Sequence, residues 1–164
     1  MDDDIKKELL KILEKDAKAS EADIAAMLGV SEDDVKKAIS ELERRGVIRK
    51  YKAVINWEQA GVEKVYAIID LKVSPERAKG YDSIAERIAR FPEVRSVYLV
   101  SGDYDLQVMV SGDSMKEIAH FVAAKIAPLE QVNETNTHFL LKTYKEDAET
   151  FYEPEKNKRL AISL

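Results

Sequence analysis

Residues 20–48 read SEADIAAMLGVSEDDVKKAISELERRGVI, and the rest of the chain is arranged around this stretch. Ile24, Ala25 and Leu28 recur at helical spacing, and Gly29 follows as the residue that can take a positive φ where the chain turns. Ser31 starts a second helix. Its hydroxyl can accept from a backbone N–H two or three residues on, Asp34 completes a Ser-x-x-Asp capping pattern, and Glu32, Asp33 and Asp34 suit the positive end of the helix dipole. Val35, Ile39 and Leu42 fall on one face to be buried, while Asp33, Lys36, Lys37, Ser40 and Arg44 share the opposite, exposed face. Gly46 ends the helix. Two short helices joined by a tight turn have the shape of a DNA-reading module.

Toward the N terminus, Asp2 to Asp4 precede a helix whose Ile5, Leu9, Ile12 and Leu13 form an apolar stripe, so three helices make a minimal core. Beyond Gly46, Val47 to Ile55 is β-branched and aromatic with rough alternation. That pattern predicts a short strand or hairpin, the wing of a winged helix-turn-helix over residues 1–55. Lys36, Lys37, Arg44, Arg45, Arg49, Lys50 and Lys52 make a local basic patch in and after the second helix. Residues 56–63 read as a linker.

From Lys64 the period changes to two. Val65, Ala67, Ile69, Leu71 and Val73 alternate with Tyr66, Ile68, Asp70 and Lys72 until Ser74-Pro75 breaks the strand. Ile84, Ala85, Ile88 and Ala89 mark a helix that ends before Phe91-Pro92. Val94 to Val100 is a strand, Gly102-Asp103-Tyr104-Asp105 a turn, and Leu106 to Val110 the next strand. Met115, Ile118, Ala119 and Val122 form a helix closed by Pro128, and Glu134 to Tyr144 is the last strand. The order β-α-β-β-α-β predicts an α+β chain whose residues 64–145 form a ferredoxin-like sheet with both helices on one face. The other face, expected to carry Tyr66, Ile68, Tyr98 or Val108, needs a cover. A second copy of the chain is the simplest one, which predicts at least a homodimer. Residues 146–164 are a tail, in which Phe151, Tyr152 and Pro154 amid charges read as an arm packing on a neighbour or as a loose end.

The totals agree with two small domains: 164 residues, 45% hydrophobic. No cysteine is present, which excludes disulfides and cysteine-ligated metals. His120 and His138 lie far apart without acidic neighbours at ligand spacing, so neither a metal nor another cofactor is expected. No Ser-His-Asp set, phosphate loop or pair of catalytic carboxylates can be assembled. The net charge of −5 argues against non-specific coating of nucleic acid, which lysine and arginine would have to carry. No apolar run approaches the roughly 20 residues that span a bilayer, and the acidic, amphipathic start lacks the basic n-region of a signal peptide. The expectation is a cytoplasmic protein without a membrane partner.

Three segments carry a resemblance. They are Ile24-Ala25 through Leu28-Gly29-Val30-Ser31 with Leu42-Glu43 and Gly46-Val47-Ile48; Ser101-Gly102-Asp103-Tyr104-Asp105-Leu106; and Ala127-Pro128-Leu129-Glu130-Gln131-Val132 leading to Thr135 and Thr137. In this order they resemble the Lrp/AsnC (leucine-responsive, feast/famine) family of prokaryotic transcription regulators, over residues 2 to about 145. The resemblance implies a DNA-binding domain followed by one that dimerises, assembles further, and binds a small effector, commonly an amino acid, between subunits. Sirohaem decarboxylases look like this family in both domains, so an enzyme subunit is the alternative, and a regulator without an effector a third reading. The Gly-Asp-Tyr-Asp form of the turn favours a regulator. The chain departs from the family pattern at Ala38, where many members carry arginine, and at Lys50, where many carry glycine.

On this reading Lys36, Lys37 and Ser40 are candidates for base edges or phosphates of double-stranded DNA, and Arg44, Arg45, Arg49 and Lys52 for backbone contacts, which position without specifying. Asp34 is a cap, and Asp33 could at best accept from a cytosine amine. Gly102, Asp103, Tyr104, Asp105, Thr135 and Thr137 are the effector candidates. Composition alone makes the turn an ordinary hairpin turn; the resemblance makes it part of a pocket. There, turn N–H groups and threonine hydroxyls could hold a carboxylate, and Asp103 or Asp105 an ammonium.

Overall fold

An aspartate and two serines cap the three helices at the start of the chain, Asp2 accepting from the N–H of Asp3. The computed structural model describes residues 1–76 and 80–152, and the chain divides into a unit spanning Met1–Ile55 and a second unit beginning at Asn56. The first holds α1 (Asp3–Lys15), α2 (Glu21–Leu28) and α3 (Glu32–Arg44). Ser20 and Ser31 each accept from the N–H three residues on, at 3.1 Å from Asp23 and 3.2 Å from Asp34. Both hydroxyls donate back to the carboxylates of those same aspartates, so the Ser-x-x-Asp pattern closes reciprocally at both helix starts. Gly29 takes φ +66° between α2 and α3, and Gly46 takes φ +70° after α3.

Leu9, Leu13, Ile24, Ala25, Val35, Ala38 and Leu42 form the buried core of this unit, with Ile39 half-buried against it. Position 38 therefore belongs to the inner side of α3. The strand or hairpin expected over residues 47–55 is a correction: among the described residues of this unit no strand forms there. A strand exists only through its ladder partner, and the described residues of this unit supply none; Val47, Tyr51, Val54 and Ile55 are exposed.

Asn56 opens the second unit by capping a single turn, its side chain accepting from the N–H of Gln59 at 3.1 Å. Lys64 lies over the Trp57 ring at 3.8 Å. Then follow β1 (Val65–Val73), α4 (Asp82–Ala89), β2 (Val94–Leu99), β3 (Leu106–Gly112), α5 (Met115–Phe121, continued by a π-helical turn over Val122–Ile126) and β4 (Val132–Phe139). The strands are antiparallel in the order β2-β3-β1-β4, the ferredoxin-like arrangement. Ala67, Ile69, Leu71, Val73, Leu106, Val108 and Val110 pack from the sheet against Ile84 and Ile88 of α4 and Ile118, Phe121, Val122 and Ile126 from α5 and its continuation.

Val108 is thus corrected from the open face to the core. It pairs with Ile69, and residues directly opposite share a face. Tyr66 and Ile68 alternate with that buried row, and Tyr98 is 56% exposed. Strand β4 begins and ends earlier than the sequence indicates, because Val132 already pairs with Val73 while Leu140 makes only one further bond, to Tyr66. Beyond it, β5 (Lys145–Glu146) and β6 (Glu149–Thr150) form a small hairpin over Asp147 and Ala148, both at positive φ. Part of the expected tail is therefore a hairpin; Pro154 and the rest of that tail, residues 153–164, lie outside the described residues.

Candidate nucleic-acid interface and effector-side turn

On α3, Asp33, Lys36, Lys37, Ser40, Glu41 and Arg44 line one shallow open depression. Lys36, Lys37 and Arg44 make no hydrogen bond or ion pair among the described residues. The other basic candidates are placed differently. Arg45 donates to Glu41 at 3.2 Å, and the second Glu41 oxygen takes Lys6 of α1 at 2.9 Å; the two cations hold the Glu41 carboxyl below its ordinary value. The Arg49 guanidinium lies against Gly46, and Lys52 is exposed. Tyr51 donates to Glu43 at 3.0 Å, and burial followed by that carboxylate pushes its phenol up. The Ser31 hydroxyl pulls the Asp34 carboxyl down, as a cap should.

In the second unit the turn after β2 is tied down by one of its two aspartates. Asp105 accepts the Val73 N–H at 2.9 Å on one oxygen and the Tyr81 hydroxyl at 3.2 Å on the other. Its charge raises the Tyr81 phenol above its ordinary value, with burial adding to the effect. Asp103 is exposed and makes no hydrogen bond among the described residues. Gly102 takes φ +123°. Tyr104 reaches Glu134 of β4 at 3.4 Å. Thr135 and Thr137 pair with Leu71 and Ile69, so both lie on the helix-covered side of the edge strand, half-buried. The fold brings Thr135 to the same end of the sheet as the turn, with β1 between them; Thr137 is two residues farther along.

Sequence reasoning missed Glu41 and Tyr81. Glu41 stands four residues from both Lys37 and Arg45, a visible signal, but its bond to Lys6 joins residues 35 apart. Nothing local marks Tyr81 as the partner of Asp105.

A model of the Lrp/AsnC ligand-binding domain matches residues 66–150, and one of a winged helix-turn-helix DNA-binding domain matches residues 2–49. The chain belongs to the Lrp/AsnC family. It is 46% identical over 157 residues, 95% of both chains, to the HTH-type transcriptional regulator YugG of Bacillus subtilis, itself uncharacterised. It is 34% identical over 147 residues, 90% of this chain and 94% of the relative, to the HTH-type transcriptional regulator FL11 of Pyrococcus furiosus. Among solved structures, the leucine response regulatory protein LrpA of Mycobacterium tuberculosis superposes with a TM-score of 0.72 at 26% identity, covering 91% of this chain and 98% of that one. The NMB0573/L-Met complex of Neisseria meningitidis shares the fold, with a TM-score of 0.67 at 23% identity over 94% and 96% of the chains.

Membership in the Lrp/AsnC family makes the chain a DNA-binding transcriptional regulator carrying an effector-binding domain. Its relatives are regulators rather than enzymes, which sets the decarboxylase alternative aside. Among the described residues no helix is long and apolar enough to cross a membrane.

Proposed function

We propose that this Lrp/AsnC regulator reads a specific DNA sequence through α3 and responds to an amino acid bound at the turn after β2, between dimers that assemble further. Lys36, Lys37 and Ser40 face base edges or phosphates, and Arg44, Arg45, Arg49 and Lys52 serve the backbone. The observation that carries the effector reading is the division between the two aspartates: Asp105 is held by Val73 and Tyr81, whereas Asp103 stands exposed beside Gly102. Asp103 is therefore the acceptor for an ammonium group, and the Gly102 N–H and the Thr135 and Thr137 hydroxyls donate to a carboxylate. The methionine named in the NMB0573 complex supports the same class of ligand.

The mechanism is linkage: a ligand that binds one assembly better shifts the population toward it, and the spacing of α3 helices in that assembly selects which half-sites are engaged together. A DNA target supports a cytoplasmic location. A thermal-shift screen over the twenty amino acids, followed by sedimentation with and without the hit, tests the reading. The expected result is one apolar or polar amino acid that raises the melting temperature and changes the assembly. No hit would leave a regulator governed by its own concentration.

A further inference from the structure

The depression on α3 is not purely basic. Lys36, Lys37 and Arg44 share it with Asp33 and Glu41, which leaves a single positive charge in excess. Lys37, Glu41 and Arg45 follow one another at i, i+4 and i+8, one column of the helix. Glu41 turns to Arg45 at 3.2 Å and to Lys6 at 2.9 Å. Two cations beside the DNA-facing surface are thereby held by a carboxylate.

Non-specific affinity depends on how many phosphates a protein neutralises, whereas base recognition depends on where a few side chains sit. We infer that Glu41 is a specificity-determining residue: by holding Arg45 and Lys6, and by bordering the groove with a negative charge, it keeps backbone attraction weak so that base contacts decide which sites are occupied. The inference rests on the assignment of the exposed α3 face to DNA. A carboxylate serving only as a brace between α1 and α3 would have no such effect on binding.

Glu41→Gln removes the charge and keeps the shape. The full-length variant, titrated with random-sequence duplex DNA between low and physiological salt by fluorescence anisotropy, should bind roughly five- to tenfold more tightly per DNA-binding unit, with a salt slope steeper by about one. A duplex selected by the wild-type protein from a random library should gain less, so the ratio of specific to non-specific affinity falls. Unchanged or weaker binding of random DNA by the folded variant overturns the inference. Lys6→Met supplies the second arm: it removes the bridge to α1 but leaves the carboxylate less neutralised, and should weaken binding of random DNA. If both variants weaken binding of random DNA, Glu41 is only a brace, and tighter binding by Lys6→Met overturns the inference as well. Retained binding after Lys36, Lys37 and Arg44 are all replaced by alanine would instead overturn the assignment of the face, whatever Glu41→Gln shows.

Discussion

Asp105 takes the Tyr81 hydroxyl at 3.2 Å on the oxygen opposite the one that holds the Val73 N–H, so one carboxylate fastens the turn after β2 to the end of β1 and the start of α4. Asp103, two residues earlier in the same turn, has no such task.

The two aspartates should therefore separate in mutagenesis. Asp105→Ala leaves a strand-end N–H without its acceptor and should cost about 1–3 kcal/mol, read from urea unfolding. Asp103→Asn should change stability by less than about 0.5 kcal/mol yet abolish the effector-induced thermal shift. Equal destabilisation by both would contradict the division.

Alkaline pH should loosen the same fastening. The Asp105 charge raises the Tyr81 phenol above its ordinary value of 10.0, so its contribution to stability is complete below about pH 10 and is lost as the pH rises through the folded value. Tyr81→Phe should flatten stability over that range, and tyrosinate absorbance during alkaline titration provides the check.

Acid acts at the other unit. Lys6 first, and then Arg45, hold the Glu41 carboxyl below its ordinary value of 4.5. Its contribution is therefore present above that pH and disappears as the pH falls through the folded value. Glu41→Gln should remove part of the acid sensitivity of the first unit, followed by circular dichroism of its helices.

Gly29 and Gly46 test the backbone argument. An added Cβ at Gly29 meets nothing within 4 Å, so Gly29→Ala should cost only the left-handed penalty, about 1–2 kcal/mol. At Gly46 the same atom would meet the Arg49 guanidinium at 3.2 Å, and the alanine variant should also displace that arginine and weaken DNA binding, which a melting curve and a gel shift would separate.

Ile68 faces away from the helices, next to the buried Ile69. If a second copy covers that side of the sheet, Ile68→Glu should yield monomers in sedimentation equilibrium while the chain stays folded. Ile69→Ala should cost about 2–5 kcal/mol without changing the stoichiometry of the folded protein.

The residues themselves determined what depends on near neighbours. Ser31 with Asp34, Gly29 at positive φ, the alternation of Val65 to Val73 and the exposed column of Lys36, Lys37, Ser40 and Arg44 all involve partners within a few positions, where helix and strand periodicity alone set the geometry. The order of strands and helices followed from the same local signals. Only the tertiary structure decided what depends on partners far along the chain. It turned Val108 inward by pairing it with Ile69, left residues 47–55 without a strand for want of a ladder partner, gave Asp105 to Tyr81, and joined Glu41 to Lys6. A hydrogen bond or ion pair forms with whichever group the fold brings within about 3 Å, and separation along the chain carries no record of that.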